Sequence, residues 1–422
     1  MVDSKKRSRE GDDSSKKTPT SSSREEVPKK KAKVDKAAAE QAKLDAEVLR
    51  LVTAVEPTAR PVVPIVGTRA DTGFYATFLR SGQGDCIVFK TPGGKVVLID
   101  CGSTTFDAAS GKAHDQFIWN SLDVAWYLGG SDRIDIMVFT HPDGDHYNRL
   151  ASVLDDARTG RKMKVGRVYH SGDSNEYVGA IDWLTTHMDD NTKIFKVTHN
   201  LETKPDGSVV RGEISLNGTA MVPGTVAGQV DCLDAGGGLT IVAEAAPACT
   251  VTILAGGVTE DYAKDNDTDK GKNRASLVLL VEVYGKKLLL CGDATRSTEH
   301  YMISAGKYAA QTKARVTAVD VMHIAHHGSM TTSGAREWLE VVKPKTEAII
   351  SAARKGSKSH HLPSWPTVSN YVDNFTARKI TAAHDGWCWD LTVSMYVVQQ
   401  MKIKAPVYIT GSHGSLDIVW TR

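Results

Sequence analysis

The strand-like run Ile134–Phe139 ends in an unusual polar segment, Thr140-His141-Pro142-Asp143-Gly144-Asp145-His146. Four potential metal ligands therefore lie within six residues of a predicted strand end. Turns at strand ends can direct alternate side chains into one cleft, and imidazole together with carboxylate suits Zn²⁺, Fe or Mn²⁺. A helix cap would explain one of the two aspartates but not all four side chains. The segment predicts a metal site at the edge of a sheet.

Two later segments place further candidate ligands at strand ends. Asp293 follows the apolar run Leu288–Cys291, where it predicts either a bridge between two cations or the cap of the next helix. His326 and His327 follow the run Val319–Ile324. Because adjacent side chains of an extended chain point to opposite sides, one of them, preferably His327, is expected to face the metals. The other is expected to pack or to bind backbone.

Strand-like and helix-like segments alternate along most of the chain, which indicates mixed sheets covered by helices. The Gly-rich stretch 201–272 is patterned more weakly and is a candidate insertion. The predicted strands are 75–79, 86–89, 95–99, 134–139, 276–283, 287–291, 319–324 and 347–350, and the predicted helices are 113–128, 295–305, 334–342 and 366–375.

The first 35 residues differ from the rest in composition. They hold eleven Lys or Arg and seven Asp or Glu, with almost no large apolar side chain, and so predict a disordered basic tail. Its cluster Pro28-Lys29-Lys30-Lys31-Ala32-Lys33 is typical of a nuclear import signal, although a solubilising tail would also carry it. Residues 36–56 predict an amphipathic helix, and residues 72–422 predict the folded domain.

Charge and cysteine usage restrict the class of protein. Outside the tail, 41 basic residues face 43 acidic ones, so the folded part is not a strongly basic nucleic-acid binder. The chain shows neither an apolar run of membrane-spanning length nor the apolar core of a secretory signal near Met1. Its six cysteines form no CxxC pair and predict buried thiols rather than a zinc finger.

The polar segment His141–His146 resembles the signature of the metallo-β-lactamase superfamily, usually His-x-His-x-Asp-His. Further blocks in the same order resemble the domain of that superfamily found on bacterial competence (DNA-uptake) channel proteins. They cover residues from about 75 to 375, while the channel-forming membrane region of those proteins is absent. The blocks are Phe78–Cys86, Thr91–Gly94, Leu98–Gly102, Leu290–Ala294, Ala325–Ser329 and His361–Pro363.

This resemblance implies a four-layer αββα fold of the α/β (α+β) class and a site for two divalent metal ions, zinc first, with manganese or iron as alternatives. It implies catalytic roles for Asp145, which would orient the nucleophile, and for His326 or His327, which would serve the leaving group. The metal ligands that it implies are His141, Asp143, Asp145, His146, Asp293 and His361.

The sequence departs from the family pattern at several places. Asp143 replaces the usual second histidine, and Leu362 follows His361 where relatives carry proline, which leaves His360 as an alternative ligand. His170 is a candidate for the histidine that the family places before the bridging aspartate. Asp85 and Asp100 are expected either to orient a ligand histidine or to bind backbone.

The function that the residues and the resemblance together favour is phosphodiester hydrolysis of nucleic acid by a metal-activated hydroxide. Two alternatives stay open: a hydrolase of small esters, thioesters or lactones, and a metal-stabilised interaction module without catalysis. The expected location is nuclear or cytoplasmic, with no membrane partner and with an import receptor if the tail is a signal. The sequence does not indicate an oligomeric state.

Overall fold

In the computed structural model of the protein, the described residues are Ala39 and 72–422, apart from the gaps 104–114, 116, 123–126, 129–130, 157–159, 173–175, 178–179, 189–190, 199–225, 232–237, 266–270, 307, 354–360, 375–383 and 402–405. The predicted tail 1–35 and import signal lie outside these residues, as do His360 and, except for Ala39, the predicted helix 36–56. Among the described residues no helix is both long and apolar enough to cross a membrane.

The first large sheet has eight strands in the order β17-β1-β2-β3-β4-β5-β6-β7. Strands β17 to β3 pair antiparallel, whereas β3 to β7 pair parallel. Its strands are β1 (Phe74–Phe78), β2 (Ile87–Lys90), β3 (Val96–Ile99), β4 (Arg133–Phe139), β5 (Lys164–His170), β6 (Lys193–Thr198), β7 (Val226–Asp231) and β17 (Leu416–Trp420).

The second large sheet has seven strands in the order β8-β9-β10-β11-β12-β13-β16, antiparallel from β8 to β11 and parallel beyond. A separate hairpin lies between β13 and β16 in the chain. It consists of β14 (His384–Asp390) and β15 (Met395–Met401). The strands of the sheet are β8 (Leu239–Ala245), β9 (Ala248–Ala255), β10 (Val278–Val283), β11 (Lys286–Leu290), β12 (Val321–His323), β13 (Glu347–Ile350) and β16 (Val407–Ile409).

Eight helices are assigned within the described part of the chain, and residues 117–122 are helical inside the predicted helix 113–128. A π-helical turn, Tyr301–Ala305, extends the fourth helix over the predicted segment 295–305. The helices are α1 (Gly144–Tyr147), α2 (Leu150–Leu154), α3 (Ala180–His187), α4 (Arg296–His300), α5 (Ala309–Val316), α6 (Arg336–Val342), α7 (Trp365–Asn374) and α8 (Thr410–His413).

One apolar core joins the two sheets. Phe89 and Val97 of the first sheet and Leu279 and Leu288 of the second belong to the same buried cluster. Fully burying one such side chain stabilises the fold by about 1.5–3 kcal/mol. The two large sheets with helices beside them confirm the predicted mixed αββα fold. Within the described residues, the candidate insertion 201–272 supplies strands to both sheets, namely β7, β8 and β9.

The strand order brings the polar segments to one edge of the core. Asp100 directly follows β3, and its backbone N–H donates to the carbonyl of Val138 in the neighbouring β4. In the second sheet the N–H of His326 donates to the carbonyl of Gly292, 3.0 Å away. The two edges are linked because the N–H of Leu277, which precedes β10, donates to the carbonyl of Thr140 at 2.9 Å. Carboxyl ends of strands from both sheets therefore meet.

Candidate metal centre

The polar segment after β4 forms a tight turn and the first turn of α1. Asp143 occupies the position before the helix but makes no side-chain capping hydrogen bond. Its two oxygens are used otherwise: Oδ2 lies 3.6 Å from His141 Nε2, and Oδ1 lies 3.5 Å from Lys272 Nζ. Asp145 and His146 lie in the first turn of α1, with His146 fully buried. The cap interpretation therefore does not account for Asp143.

Asp293 lies among four histidines. Its Oδ2 is 3.7 Å from the Nε2 atoms of His141 and His326 and 3.4 Å from that of His327. Its Oδ1 is 3.4 Å from His146 Nε2. The cap of α4 is Thr295, so Asp293 is not the residue that caps this helix. A single buried carboxylate thus contacts imidazoles from both sheets.

Gly292 allows Asp293 to approach the first sheet. It adopts a positive φ of 48°, and a Cβ built on it would lie 2.8 Å from the Cβ of Thr140. Any other residue would therefore combine backbone strain with a clash against the segment that carries His141. This close passage is what places a carboxylate from β11 beside ligands that follow β4.

Four groups of three described side chains converge closely enough to hold a cation, each offering one ligand atom within 4.8 Å of the others. His146 belongs to three of these groups, and Asp293 belongs to two. The groups are His141, His146 and Asp293; Asp145, His146 and His327; Asp85, Asp293 and His327; and Asp85, Asp100 and His146. Mixed imidazole and carboxylate donors of this kind suit a divalent metal ion.

Several of the converging atoms are buried and have no hydrogen-bond partner among the described residues. They are the Nε2 atoms of His141, His146 and His327 and the Oδ1 atoms of Asp85 and Asp293. Leaving a buried polar atom unpaired costs about 1–3 kcal/mol, and here such atoms face one another. The donor set therefore fits a bound metal, which would satisfy these atoms together.

Contacts behind the site fix the orientation of two imidazoles. His146 Nδ1 lies 2.8 Å from Asp100 Oδ2, and Thr140 donates its N–H to Asp100 Oδ1 at 2.8 Å. His327 Nδ1 lies 2.8 Å from the carbonyl oxygen of Ser351. In both cases the other ring nitrogen, Nε2, is presented to Asp293. Such outer contacts fix the tautomer of a ligand histidine, which is the orienting role considered for Asp100.

Charges in the site are mutually dependent. Burial opposes ionisation of Asp293, but His327, His146 and His326 hold the pKa of its carboxyl well below the usual value. Burial likewise disfavours the charged imidazoles, yet Asp293 raises the pKa of His327 to about 9 and, with Asp100, raises that of His146. The protons on His146 and His327 thus offset the negative charge of Asp293, as bound cations would do. Because a metal must displace them, metal affinity is expected to fall as pH falls.

Of the two adjacent histidines, His327 enters two of the described ligand groups and His326 enters none, but His326 also approaches Asp293 instead of only packing or binding backbone. Both residues adopt positive φ angles, 50° and 51°, in a short 3₁₀ turn rather than an extended chain. The alternation of an extended strand therefore does not apply, and both Nε2 atoms lie near Asp293. His326 is the more exposed, at 15% of its side chain against 4% for His327, and its Nδ1 is hydrogen-bonded to the hydroxyl of Thr332.

Four sequence candidates lie outside the described ligand groups: Asp143, His326, His361 and His170. His361 stacks on the indole of Trp389, with ring centroids 3.7 Å apart and planes 10° from parallel. His170, at the end of β5, has Nδ1 3.3 Å from the carbonyl oxygen of Ser171 and its ring against Tyr177. Neither is part of a group of three ligands in the described structure. The ligand role of His361 stays a prediction.

Two residues at the candidate metal centre, Asp85 and His323, were not predicted as ligands from the sequence. Asp85 had no assigned ligand role, yet its carboxylate joins two of the four groups. His323, the last residue of β12, is fully buried, with Nε2 3.5 Å from Asp85 Oδ1 and 3.1 Å from Ser351 Oγ. Burial opposes ionisation of Asp85, but His323 and the neighbouring imidazoles hold its pKa below the usual value. The position of His323 at the end of an apolar strand was the sequence feature that could have indicated its place near the site.

Comparison with known sequence families finds a match within this chain. The sequence model described as the metallo-beta-lactamase superfamily matches residues 79–280, which include the segment His141–His146. Residues 79–280 are therefore similar to the metallo-beta-lactamase superfamily. Asp293 and the histidine pair lie beyond the matched residues and join the site through the second sheet. A search of curated protein sequences finds no match to this chain.

The solved structures that match this chain are distant in sequence, and their TM-scores lie below 0.5. A mutant of CmlA beta-hydroxylase is 13% identical with a TM-score of 0.38, and the alignment covers 82% of this chain but 53% of that one. A diphosphatase from the PhnP family is 11% identical with a TM-score of 0.35, covering 83% and 98%. Unliganded yeast PDE1 is 11% identical with a TM-score of 0.32, covering 68% and 90%. Likeness at this level supports no conclusion about activity.

Proposed function

We propose that this protein is a dinuclear metal-dependent hydrolase of the metallo-beta-lactamase superfamily that cleaves phosphodiesters, with nucleic acid as the first substrate to test. The observation that carries the proposal is the contact of Asp293 with four imidazoles at 3.4–3.7 Å. A carboxylate in this position would help to hold a pair of cations, which would supply charge stabilisation for a displacement at phosphorus. The closer relation to competence proteins stays a prediction.

The residues divide into holding and reacting groups. His141, His146 and Asp293 would hold one metal, while His327 with Asp145 or Asp85 would contribute to a second. Bound metals would supply the chemistry by lowering the pKa of water towards neutrality, so that hydroxide is present at neutral pH.

Asp145 and His326 would act on the substrate side. Asp145 Oδ2 lies 3.8 Å from His327 Nε2, and the Asp145 side chain is 31% exposed, so it can orient a nucleophile. His326 is the more exposed histidine of the pair and would donate a hydrogen bond to the leaving oxygen.

The proposed activity can be tested with three substrates and added metals. Purified protein is expected to hydrolyse bis(p-nitrophenyl) phosphate and single-stranded DNA when supplied with Zn²⁺ or Mn²⁺, and EDTA is expected to abolish the reaction. Elemental analysis is expected to find up to two equivalents of metal. Preferential cleavage of nitrophenyl acetate would instead support an ester hydrolase. Metal binding without turnover of any substrate would support an interaction module.

We also propose that the basic tail directs import into the nucleus. A fluorescent reporter fused to residues 1–40 is expected to accumulate in nuclei, and Lys29-Lys30-Lys31→Ala is expected to disperse it, because an import receptor reads clustered positive charge. Deletion of residues 1–35 from the full chain is expected to leave kcat and KM unchanged. An evenly spread reporter, with or without the substitutions, would show that the tail only aids solubility.

A further inference from the structure

A rigid turn of the second sheet lies beside the metal segment. In residues 271–275 the N–H of Ala275 donates to the carbonyl of Gly271 at 3.0 Å, and the N–H of Gly257 donates to the carbonyl of Ala275 at 2.9 Å. Two residues further on, the N–H of Leu277 donates to the carbonyl of Thr140, which directly precedes His141. The turn is therefore tied to the backbone that carries the metal ligands.

A buried ion pair fixes the same turn from the other side. Arg274 donates to Asp265 Oδ1 at 2.6 Å and to its Oδ2 at 3.2 Å. Asp265 also accepts hydrogen bonds from the Thr295 hydroxyl and from the N–H of Ser297. Since Thr295 lies two residues after Asp293, this network holds the turn in a fixed relation to the central carboxylate.

Lys272 extends from this turn to the rim of the metal centre. Its Nζ lies 3.5 Å from Asp143 Oδ1, while Asp143 Oδ2 lies 3.6 Å from His141 Nε2. The two side chains of the pair are 25% and 23% exposed, so the ammonium lies between solvent and the candidate ligands. A pair this exposed is worth at most about 1 kcal/mol. Its partners can therefore exchange contacts with a bound ligand at low cost.

Asn273 in this turn and Ser276 directly after it each carry a buried polar atom, Oδ1 and Oγ, that makes no hydrogen bond among the described residues. Asn273 is 7% exposed and Ser276 is fully buried. The Ser276 hydroxyl can donate, and rotation of the Asn273 amide would exchange its oxygen for an NH₂ donor. Both side chains can therefore serve as hydrogen-bond donors.

We propose that Lys272 binds a non-bridging oxygen of an anionic phosphoryl group beside the metal centre, and that Asp143 holds its ammonium in place before the substrate arrives. This proposal rests on the phosphodiesterase function above and specifies what recognises the phosphate. The positive charge of Lys272 would also offset part of the repulsion between the carboxylates of the site and an anion. Lysine acts here as a point charge.

The test compares Lys272→Ala with Lys313→Ala, which removes the same charge from an exposed position on α5. With metal-loaded full-length protein, Lys272→Ala is expected to weaken binding of inorganic phosphate in calorimetry by about 10- to 100-fold, the range for a charged hydrogen bond. Its kcat/KM for bis(p-nitrophenyl) phosphate should fall by a similar factor, mainly through KM. Metal content and turnover of neutral nitrophenyl acetate should not change, and Lys313→Ala should match the wild type.

Phosphate titration separates this proposal from the proposed function, because it does not need turnover. A wild-type protein that binds phosphate through Lys272 but cleaves no phosphodiester would overturn the function and leave the lysine assignment standing. Equal phosphate affinity in Lys272→Ala and wild type would overturn the assignment, whatever the activity. Loss of metal from Lys272→Ala would overturn it too, since the lysine would then stabilise Asp143 and not the substrate.

Discussion

Asp293→Ala is expected to lower kcat/KM for a phosphodiester by about 10³-fold or more and to remove most of the bound metal. The carboxylate contacts His141, His146, His326 and His327, so its loss removes a ligand shared by the whole centre. The fold should survive, because His146 and His327 lose the partner that raises their pKa and can become neutral instead of remaining as buried charges.

The measurements are metal content by elemental analysis, steady-state kinetics and thermal unfolding. Asp293→Asn keeps the size of the side chain and separates loss of charge from loss of packing. Asp320→Asn is the matched control, because Asp320 accepts the N–H of Lys287 at the other end of the parallel strands. Full metal content in Asp293→Ala would show that the centre is assembled without this carboxylate and would rule out the bridge.

Asp100→Asn is expected to reduce metal affinity by about 10- to 100-fold, the usual effect of removing a contact behind a ligand histidine. The amide can still accept the N–H of Thr140, but one of its two positions becomes a donor and no longer matches His146 Nδ1–H. The positive φ of Asp100, 54°, is tolerated by asparagine, so backbone strain is not a competing cause.

Competition with a chelator of known affinity measures this effect, and urea unfolding reports the accompanying loss of stability. Asp135→Asn provides the comparison, because Asp135 accepts the N–H of Val96 at 2.9 Å on the same pair of strands, away from the metal segment. If both variants bound zinc like the wild type, Asp100 would serve the backbone of the turn rather than the orientation of His146.

Much of the site could be predicted because its chemistry is concentrated in short segments. One apolar strand is followed by His141, Asp143, Asp145 and His146, and another is followed by Asp293. Because side chains that follow strand ends can meet at one edge of a sheet, their proximity could be predicted. The backbone of the histidine pair could not be predicted in the same way. Two adjacent non-glycine residues with positive φ are unusual, and nothing in the local sequence indicates them.

Features that depend on contacts between distant parts of the chain could not be predicted from the sequence either. The surroundings of His361 are decided by Trp389 on the hairpin β14–β15, a region that carried no structural assignment. Lys272 lies in the weakly patterned stretch 201–272, where polar residues are ordinarily read as solvated loop. Its relation to Asp143 arises only because the second sheet ties this turn to Thr140.

The outermost pairing of the first sheet has a consequence for biosynthesis. Strand β1 is hydrogen-bonded to β17 in the register Phe74 to Trp420, and the two rings stack with centroids 5.4 Å apart. During translation β1 leaves the ribosome well before its neighbour on this side, because Thr77 and its partner Asp417 are 340 residues apart in the chain. Until then an apolar strand edge stays open to pairing with other chains. Contacts so far apart in sequence also slow folding, which prolongs the time for which this strand edge is open.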